Sequence, residues 1–415
     1  MGNNDRRPKI RFKGFNDDWE QHKLGNLGYT YTGLSGKTKN DFGHGDGKFI
    51  TYINVFSNTI ADCNLVESVE IDKKQNKVEY GDILFTTSSE TPKEVGMSSV
   101  YLGNEDNIYL NSFCFGFKPT YKFDNYYIAY ILRSVYVRKK IIPLAQGISR
   151  YNISKSKMME IQINLPCMIE QKKIGEFFKQ LDNDITLHQR KLEKLGNIKK
   201  SMLEKMFPKD ENKVPEIRFK GFNDDWEQHK LGEICNSFEY GLNAASKEYD
   251  GKNKYIRITD INDETREFSK EDLTSPDIDL KNLDSYKLKK GDIVFARTGA
   301  SVGKTYLYNE KDEVVYYAGF LIRAQIKNQY SNEFIFQNTL TKKYIDFIYI
   351  MSQRSGQPGI NSKEYASFEL KVPNLEEQNK IGSFLNNIDN LISLHQRKLE
   401  KLKNIKKACL EKMFV

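Results

Sequence analysis

The sequence predicts an α/β (α+β) fold in which two long antiparallel coiled-coil helices, related by pseudo-two-fold symmetry, separate two globular domains. Three observations predict it: a long internal repeat, a divergent globular segment inside each copy, and a heptad pattern that closes each copy. The chain of 415 residues is long enough for two or three domains. Its hydrophobic content of 39% and aromatic content of 12% are typical of a folded protein.

The repeat is nearly perfect at its ends and weak in its middle. Residues 10–25 and 217–232 both read IRFKGFNDDWEQHKLG, and LHQRKLEKL begins at both 187 and 394. Residues 26–150 and 233–357 are only weakly similar, although GDILF in the first corresponds to GDIVF in the second. Nearly identical repeat ends that flank divergent central segments favour a symmetric scaffold that carries two different binding domains. The alternative is a recent duplication followed by drift, which would change the repeat ends and the central segments to a similar extent.

These patterns divide the chain into six segments. They are an opening segment (1–25), a first globular domain (26–167), a central helix (168–207), a linker with the second opening segment (208–232), a second globular domain (233–374) and a final helix (375–415). In each globular domain, the Gly-Asp turn and apolar run predict a buried strand. Residues 123–142 and 332–349 have the periodicity of amphipathic helices.

A heptad seam follows each closing helix, with apolar residues at alternating steps of four and three. From Glu170 to Phe207 a helix would extend about 57 Å at 1.5 Å per residue, and it needs a partner to bury its seam. We expect its own copy, packed antiparallel, so that the pair sets the distance between two binding domains. The predicted seam residues are Ile174, Phe178, Leu181, Ile185, Leu192, Leu195, Ile381, Leu385, Ile388, Ile392, Leu399 and Leu402.

Two further features lie on these helices. His188 and His395 fall on the seam, where a hydrogen bond that fixes helix register is favoured over a ligand role. A second apolar stripe lies beside the seam and should be covered by the globular domains or, the favoured alternative, by a partner protein. Its residues are Leu187, Ile198, Leu203, Leu394, Ile405 and Leu410.

Polar loops after the predicted strands hold the candidate DNA contacts. Arg and Gln are the usual bidentate readers of guanine and adenine. In the first domain the candidates are Thr86, Thr87, Ser88, Lys93, Ser149, Arg150 and Asn152. In the second they are Arg297, Thr298, Ser301, Lys304, Gln353, Arg354 and Gln357. For each of them the alternative is an ordinary solvated loop residue.

The run TGASVGKT at 298–305 is similar to a nucleotide-binding loop but lacks its first glycine. Thr298 stands at the position, five residues before Gly303, where that motif requires glycine. We therefore expect no nucleotide hydrolysis here, and instead expect the backbone amides and Lys304 to approach a DNA phosphate.

Composition and missing motifs narrow the function further. The formal net charge of +8 permits a polyanionic partner, although neither globular domain is broadly basic. The polar start, the lack of a long apolar run and five scattered cysteines without metal-ligand spacing predict a cytoplasmic protein with no membrane contact. The sequence contains no [DN]-P-P-[YF] motif for adenine methylation, no Gly-rich S-adenosylmethionine fingerprint and no H-E-x-x-H. We therefore expect neither catalysis nor a bound metal.

Residues 291–305, residues 355–389 and the Leu/Lys-rich tail resemble the specificity (S) subunits of type I restriction-modification systems. The resemblance covers nearly the whole chain, twice over. It implies a non-catalytic protein whose two target recognition domains each read one half of a bipartite site in double-stranded DNA. The order and duplication of the motifs carry the resemblance, since each motif alone is loose. The first domain departs from the pattern, with TTSSETPKEVG in place of ARTGASVGK.

The resemblance also implies partners. The paired helices would set the spacing of the site and dock two methyltransferase (M) subunits that use S-adenosylmethionine to modify a flipped adenine. Two restriction (R) subunits would add ATP- and Mg-dependent cleavage, so no cofactor is expected on this chain itself. Two rival functions remain open: a free-standing DNA-modifying enzyme, and a scaffold that binds only proteins.

Overall fold

The computed structural model describes residues 6–209, 211–353 and 356–415. They form two compact units, one ending at Leu187 and including Lys398–Val415, and the other comprising His188–Arg397. Each unit thus combines one globular domain with the first half of its own closing helix and the last half of the other. Within the described residues, none of the helices has the length and apolar character needed to cross a bilayer.

The first unit is built from short strands and helices in mixed order. Its strands are β1 (Glu20–Lys23), β2 (Gly28–Thr32), β3 (Phe42–Ile50), β4 (Val66–Val69), β5 (Ile83–Thr86), β6 (Ser88–Ser89), β7 (Ser98–Val100), β8 (Ile108–Leu110), β9 (Cys114–Pro119), β10 (Tyr151–Asn152) and β11 (Gln162–Leu165). Its helices are α1 (Tyr52–Ser57), α2 (Asn125–Arg133), α3 (Val135–Ile141), α4 (Lys155–Met159) and α5 (Met168–Lys205), the last of which continues into the second unit.

The second unit repeats this order with small differences. Its strands are β12 (Glu227–Lys230), β13 (Cys235–Tyr240), β14 (Ser246–Glu248), β15 (Lys254–Ile256), β16 (Thr274–Pro276), β17 (Asp292–Ala296), β18 (Thr305–Leu307), β19 (Val315–Tyr317), β20 (Leu321–Ile326) and β21 (Glu369–Val372). Its helices are α6 (Leu231–Ile234), α7 (Asn332–Asn338), α8 (Lys342–Met351), α9 (Ser362–Ala366) and α10 (Leu375–Lys412), which continues into the first unit.

The main sheets of the two units share the same topology. An antiparallel four-stranded sheet has the order β2-β9-β5-β7 in the first unit and β13-β20-β17-β18 in the second. A parallel pair follows in each, β3 with β8 and β15 with β19. The opening strand pairs antiparallel with the strand before the long helix, β1 with β11 and β12 with β21. The structure confirms the predicted repeated α/β fold.

A Gly-Asp pair begins the central strand of each sheet, as the sequence predicts. Gly81 and Gly291 have φ of 89° and 87°, a backbone conformation that favours glycine. The next side chain closes the turn, since Asp82 accepts from the Glu79 amide and Asp292 accepts from the Lys289 amide. Burial raises the pKa of both aspartates. The apolar run that follows is fully buried in both sheets.

A buried ion pair ties each opening segment to the start of the following long helix. Arg11 donates two hydrogen bonds to Glu170, at 2.7 and 2.8 Å, and the Glu170 side chain is fully buried. Arg218 and Glu377 repeat this pair at 2.7 Å for both bonds. Bidentate guanidinium–carboxylate pairs fix geometry as well as charge, so they hold the helix at a set angle to its domain.

The residue after each of these glutamates ties the helix to the globular domain. Gln171 accepts a hydrogen bond from the Asp124 amide at 3.0 Å and donates to the Pro166 carbonyl at 2.8 Å. In the second unit, Gln378 accepts from the Ser331 amide at the start of α7, at the same distance. The repeated Glu-Gln therefore has a structural role in both copies.

Each unit contains an antiparallel pair of long-helix segments. In the first, Lys406 pairs with Asp182 while Phe414 stacks on Phe178, with ring centroids 5.5 Å apart. Asp182 comes after Phe178 in the chain, whereas its partner Lys406 comes before Phe414. The two segments therefore run antiparallel. The second unit has the same arrangement, because His188 contacts His395 whereas Lys199, further along α5, pairs with Asp389. The predicted antiparallel helices are confirmed within both units.

The histidines of the predicted seam face each other in the second unit. Nδ1 of His188 lies 2.8 Å from Nδ1 of His395, a hydrogen-bond distance that requires one nitrogen to donate and the other to accept. The arrangement fits the favoured interpretation of a bond between helices. The described residues include no cluster of three or more potential metal ligands.

The predicted seam is covered partly by the globular domains. The first three seam residues of α5 lie in the core of the first unit together with Phe414, and those of α10 lie in the core of the second. The remaining seam residues are half-buried, namely Ile185, Leu192, Leu195, Ile392, Leu399 and Leu402. The seam therefore packs against its own domain as well as against the other helix.

Candidate nucleic-acid interface

Two loops meet in the first unit, and both hold predicted DNA contacts. The first loop (87–97) follows β5, and the second loop (146–152) precedes α4. Strands β6 and β10 pair them antiparallel, and the Ile153 amide donates to the Thr87 carbonyl at 2.9 Å. Two loops that the sequence separates by about fifty residues therefore form one surface.

The second unit joins the equivalent loops in the same way. Its first loop is 297–304, and the described part of its second loop comprises Gln353 and residues 356–361. Thr298 forms an antiparallel bridge with Gly359, and the Gly299 amide donates to the Pro358 carbonyl at 3.0 Å. The Ile360 amide donates to the Arg297 carbonyl at 2.9 Å, matching the bond between Ile153 and Thr87.

A third segment, which its sequence does not mark as a contact, reaches the same surface. The turn before β9 presents Phe113, whose carbonyl accepts from the Thr87 amide at 2.9 Å. The turn before β20 presents Phe320, whose carbonyl accepts from the Arg297 amide at 3.0 Å. Both side chains are exposed, at 52% and 64%. Aligning the two domains around these strands is the signal that could have found them. We call the two loops and this turn the recognition surface of each unit.

The candidates of the first unit divide into exposed and buried side chains. Lys93, Ser149, Arg150 and Asn152 are exposed, and Thr87 is half-buried. Thr86 and Ser88, in contrast, are buried.

The burial of Thr86 and Ser88 corrects their selection as contacts. The Thr86 hydroxyl accepts a hydrogen bond from the Met97 amide, and the Ser88 carbonyl accepts one from Tyr52. They follow the apolar run of β5 directly, so they share its burial. Neither side chain can reach DNA in this conformation.

The second unit shows the same division. Gln353 and Gln357 are exposed, and Arg297, Thr298 and Ser301 are half-buried. Arg354 lies outside the described residues.

Lys304 is the candidate that the structure corrects most clearly. Its side chain is only 7% exposed, and its ammonium contacts an Asp263 carboxylate oxygen at 2.5 Å and the Ile261 carbonyl at 3.2 Å. The bond to Lys304 lowers the pKa of Asp263. The Lys304 ammonium is therefore paired with a carboxylate of its own domain and does not face a DNA phosphate.

The loop around Lys304 also differs from a nucleotide-binding loop in its surroundings. It joins strand β17 to strand β18 through a single 3₁₀ turn, Gly299–Ser301, with no long helix behind it. A phosphate-binding loop opens a helix whose amides face the phosphate. The prediction of no nucleotide site at this loop agrees with that architecture.

One half-buried arginine holds the first loop of the first unit. Arg138 in α3 donates to the carbonyls of Lys93, Val95 and Gly96 at 2.7 to 2.8 Å. Burial lowers the pKa of Arg138 to about 10, so it remains charged at neutral pH. Since only a guanidinium reaches three carbonyls with one planar group, Arg138 fixes the loop that carries Lys93.

Two tyrosines replace this arginine in the second unit. The Tyr365 hydroxyl donates to the Ala296 carbonyl at 2.7 Å and accepts from the Gly303 amide at 3.1 Å. Tyr344 donates to the Gly303 carbonyl at 3.1 Å. Gly303 has φ of 85°, and a Cβ there would meet Ile348 at 2.6 Å, so the tight turn requires glycine. Different side chains thus hold equivalent loops.

An arginine packs on an aromatic ring at each recognition surface. The Arg150 guanidinium lies 5.2 Å from the centroid of Phe113, and that of Arg297 lies 4.8 Å from the centroid of Tyr240. Such packing restricts the side chain while leaving its donors free for a ligand. Paired polar loops that carry an arginine packed on an aromatic ring are typical of a surface that recognises a polyanion.

Comparison with known proteins identifies the family. The family model described as the type I restriction modification DNA specificity domain matches residues 16–197 and 223–404. The chain therefore belongs to this family and contains its domain twice. The match confirms the resemblance inferred from the sequence, and with it the prediction of a DNA-recognition protein that is not an enzyme.

Individual relatives agree with this assignment. The chain is 24% identical to a putative type I restriction enzyme MjaX specificity subunit from Methanocaldococcus jannaschii, over 95% of this chain and 92% of that protein. It is 23% identical to the EcoKI specificity subunit of Escherichia coli, over 82% and 76% of the two chains. The crystal structure of a type I restriction-modification S subunit from M. genitalium matches 99% of both chains with a TM-score of 0.68 at 17% identity, which supports the fold.

Proposed function

We propose that each globular domain reads one half of a bipartite site in double-stranded DNA, as the specificity subunit of a type I restriction-modification complex. One observation carries the proposal. In both units the same three segments meet through equivalent backbone hydrogen bonds, while the polar side chains of their loops differ. A shared backbone gives both domains the same mode of binding, and different side chains give them different sequence preferences.

The long helices are proposed to set the spacing between the half-sites and to dock partner subunits. Leu187, Ile198, Leu394 and Ile405 are 36% to 48% exposed on these helices, which supports a partner surface. Leu203 and Leu410 of the same predicted stripe instead pack against the domain cores.

The full complex is proposed to contain two methyltransferase subunits and two restriction subunits. S-adenosylmethionine, ATP and Mg would bind to those partners rather than to this chain. A cytoplasmic location, where the host DNA lies, belongs to the same proposal. The resemblance of the sequence to type I specificity subunits supports these points.

Exchange of one domain tests the proposal. Residues 26–150 are replaced by the corresponding segment of another family member, and the host methylome is sequenced with the original chain, with the exchanged chain and without the gene. One half of the methylated site should change while the other half and the spacing stay the same. An unchanged site would contradict the proposal, and DNA modification by the purified chain alone would favour an enzyme instead.

A further inference from the structure

We propose that Phe113 and Phe320 are apolar contacts that each domain inserts into the groove of its half-site in DNA. The inference rests on the proposed function and adds to it a specific pair of residues. Neither residue has the polar or bidentate side chain that marks the other candidates.

The two phenylalanines are structurally equivalent although their domains have diverged. Each stands directly before the strand that is second in the four-stranded sheet, β9 or β20. Each carbonyl accepts from the amide of the residue that opens the first loop, Thr87 or Arg297. The neighbouring sequences, NSFCF and AGFLI, share only this phenylalanine at the turn. The same large apolar residue is therefore presented at the same place in both domains.

Exposure at this place is not explained by the fold. Phe85 and Phe115 of the same sheet are completely buried, so the core beneath has no need of Phe113. The backbone of Phe113 is held by two hydrogen bonds from Thr87 and a third to the Asn111 side chain. A rigid backbone presents the ring to solvent with little conformational entropy to lose on binding.

The surroundings favour DNA as the occupant. Arg150 packs on the Phe113 ring. In the second unit Arg297 donates its backbone amide to the Phe320 carbonyl and packs its guanidinium on Tyr240, so each recognition surface includes an arginine. Exposed Lys93 and Gln357 lie on the loops of the same surfaces. A phenylalanine among cationic and amide side chains suits a groove, because the ring can wedge at a base step while the polar groups bind phosphates and base edges.

The expected effect of removing the ring follows from its burial. Burying a phenylalanine side chain changes a dissociation constant by about tenfold to a hundredfold. Since wedging requires a deformable step, the loss should appear for the specific site and not for unrelated duplexes.

Binding measurements on the assembled complex test the inference. The site is first defined by methylome sequencing, and the full chain is then assembled with the host methyltransferase as wild type, Phe113→Ala or Phe320→Ala. Affinity is measured on the intact site, on duplexes with either half altered and on a duplex lacking the site. Each variant should lose affinity for the intact site and become insensitive to changes in its own half only. A 2-aminopurine probe moved along the half-site should brighten at one step with wild type and not with the variant.

Matched variants separate DNA contact from misfolding. Tyr29→Ala removes a ring that is 58% exposed at the far end of β2, where it pairs with Lys118, and should leave affinity unchanged. Phe113→Leu keeps apolar volume and should retain part of the affinity. Wild-type affinity of both alanine variants for a true site would overturn this inference alone, as would weaker assembly with the methyltransferase at unchanged DNA affinity. A wild-type complex without site preference would instead overturn the proposed function and this inference with it.

Discussion

Replacing Arg11 by alanine should destabilise the first unit strongly, because the change leaves a buried charge unpaired. The Glu170 side chain is fully buried and the Arg11 side chain is only 13% exposed. Removing one partner of a buried ion pair costs about 3 to 5 kcal/mol. The hydrogen bond with Glu170 raises the pKa of Arg11, in agreement with a favourable interaction of the charged form.

The same segment offers a matched control. Arg7 pairs with Asp18 at 2.5 Å, but the two side chains are 64% and 55% exposed. Exposed pairs contribute about 0 to 1 kcal/mol, so Arg7→Ala should have little effect. The double variant Arg11→Met with Glu170→Leu removes both charges and should recover most of the lost stability.

Hydrogen exchange read by mass spectrometry is the suitable assay, because two units need not unfold in a single transition. Amides of β1 and β11 should exchange roughly a hundredfold faster or more in Arg11→Ala, as about 3 kcal/mol implies. The equivalent strands β12 and β21 should be unchanged, since Arg218 and Glu377 hold them. Equal, small effects of Arg7→Ala and Arg11→Ala would refute the reasoning.

Four further predictions concern the loops and helices. Arg138→Ala should release residues 93–96 from their hydrogen bonds and weaken binding to one half-site. Arg138→Lys should not restore that binding, and affinities for duplexes with either half-site altered would show both effects. Tyr365→Phe should destabilise the 297–304 loop by about 1 kcal/mol in hydrogen exchange, whereas Tyr349→Phe at an exposed hydroxyl should not. At Asp250 burial raises the pKa, but hydrogen bonds from Asn253, Lys252 and Ser275 outweigh it and lower the pKa to about 2. The stability that these bonds give the turn at Asp250 should therefore be present above about pH 4 and lost as pH falls toward 2. Amide exchange or an NMR titration would measure this loss. Inserting one heptad into either long helix should lengthen the spacer of the methylated site or abolish methylation, and methylation with the original spacer would contradict the proposed spacing role.

The frame of the molecule could be predicted from the sequence because a repeat encodes it twice. The heptad seam, the Gly-Asp turn and the opening segment each appear in two copies with the same spacing, so chance was an unlikely source for any of them. Periodicity also predicts that Phe178 is buried. It cannot predict that the Phe178 ring stacks on both Tyr130 and Phe414, because such contacts depend on tertiary packing.

The recognition surface was predicted only in part. Polar side chains in the loops after strands predict contacts there, and the structure joins the two loops of each domain. Polarity alone cannot show that Lys304 is paired with Asp263 from a distant loop or that Thr86 lies beneath the surface. It also gives no reason to select a phenylalanine, since a single exposed aromatic residue resembles a core residue in sequence.

The mixed composition of the two units has a consequence for biosynthesis. The core of the first unit includes Met413 and Phe414, which follow its globular domain by more than two hundred residues. The ribosome must therefore synthesise the chain through residue 414 before this core can be completed. During translation, the apolar surface around Tyr127 and Phe178 that Phe414 later covers remains exposed, and exposed apolar surface promotes aggregation. The second domain finds its counterpart, Phe207, already synthesised, so it can complete its core first.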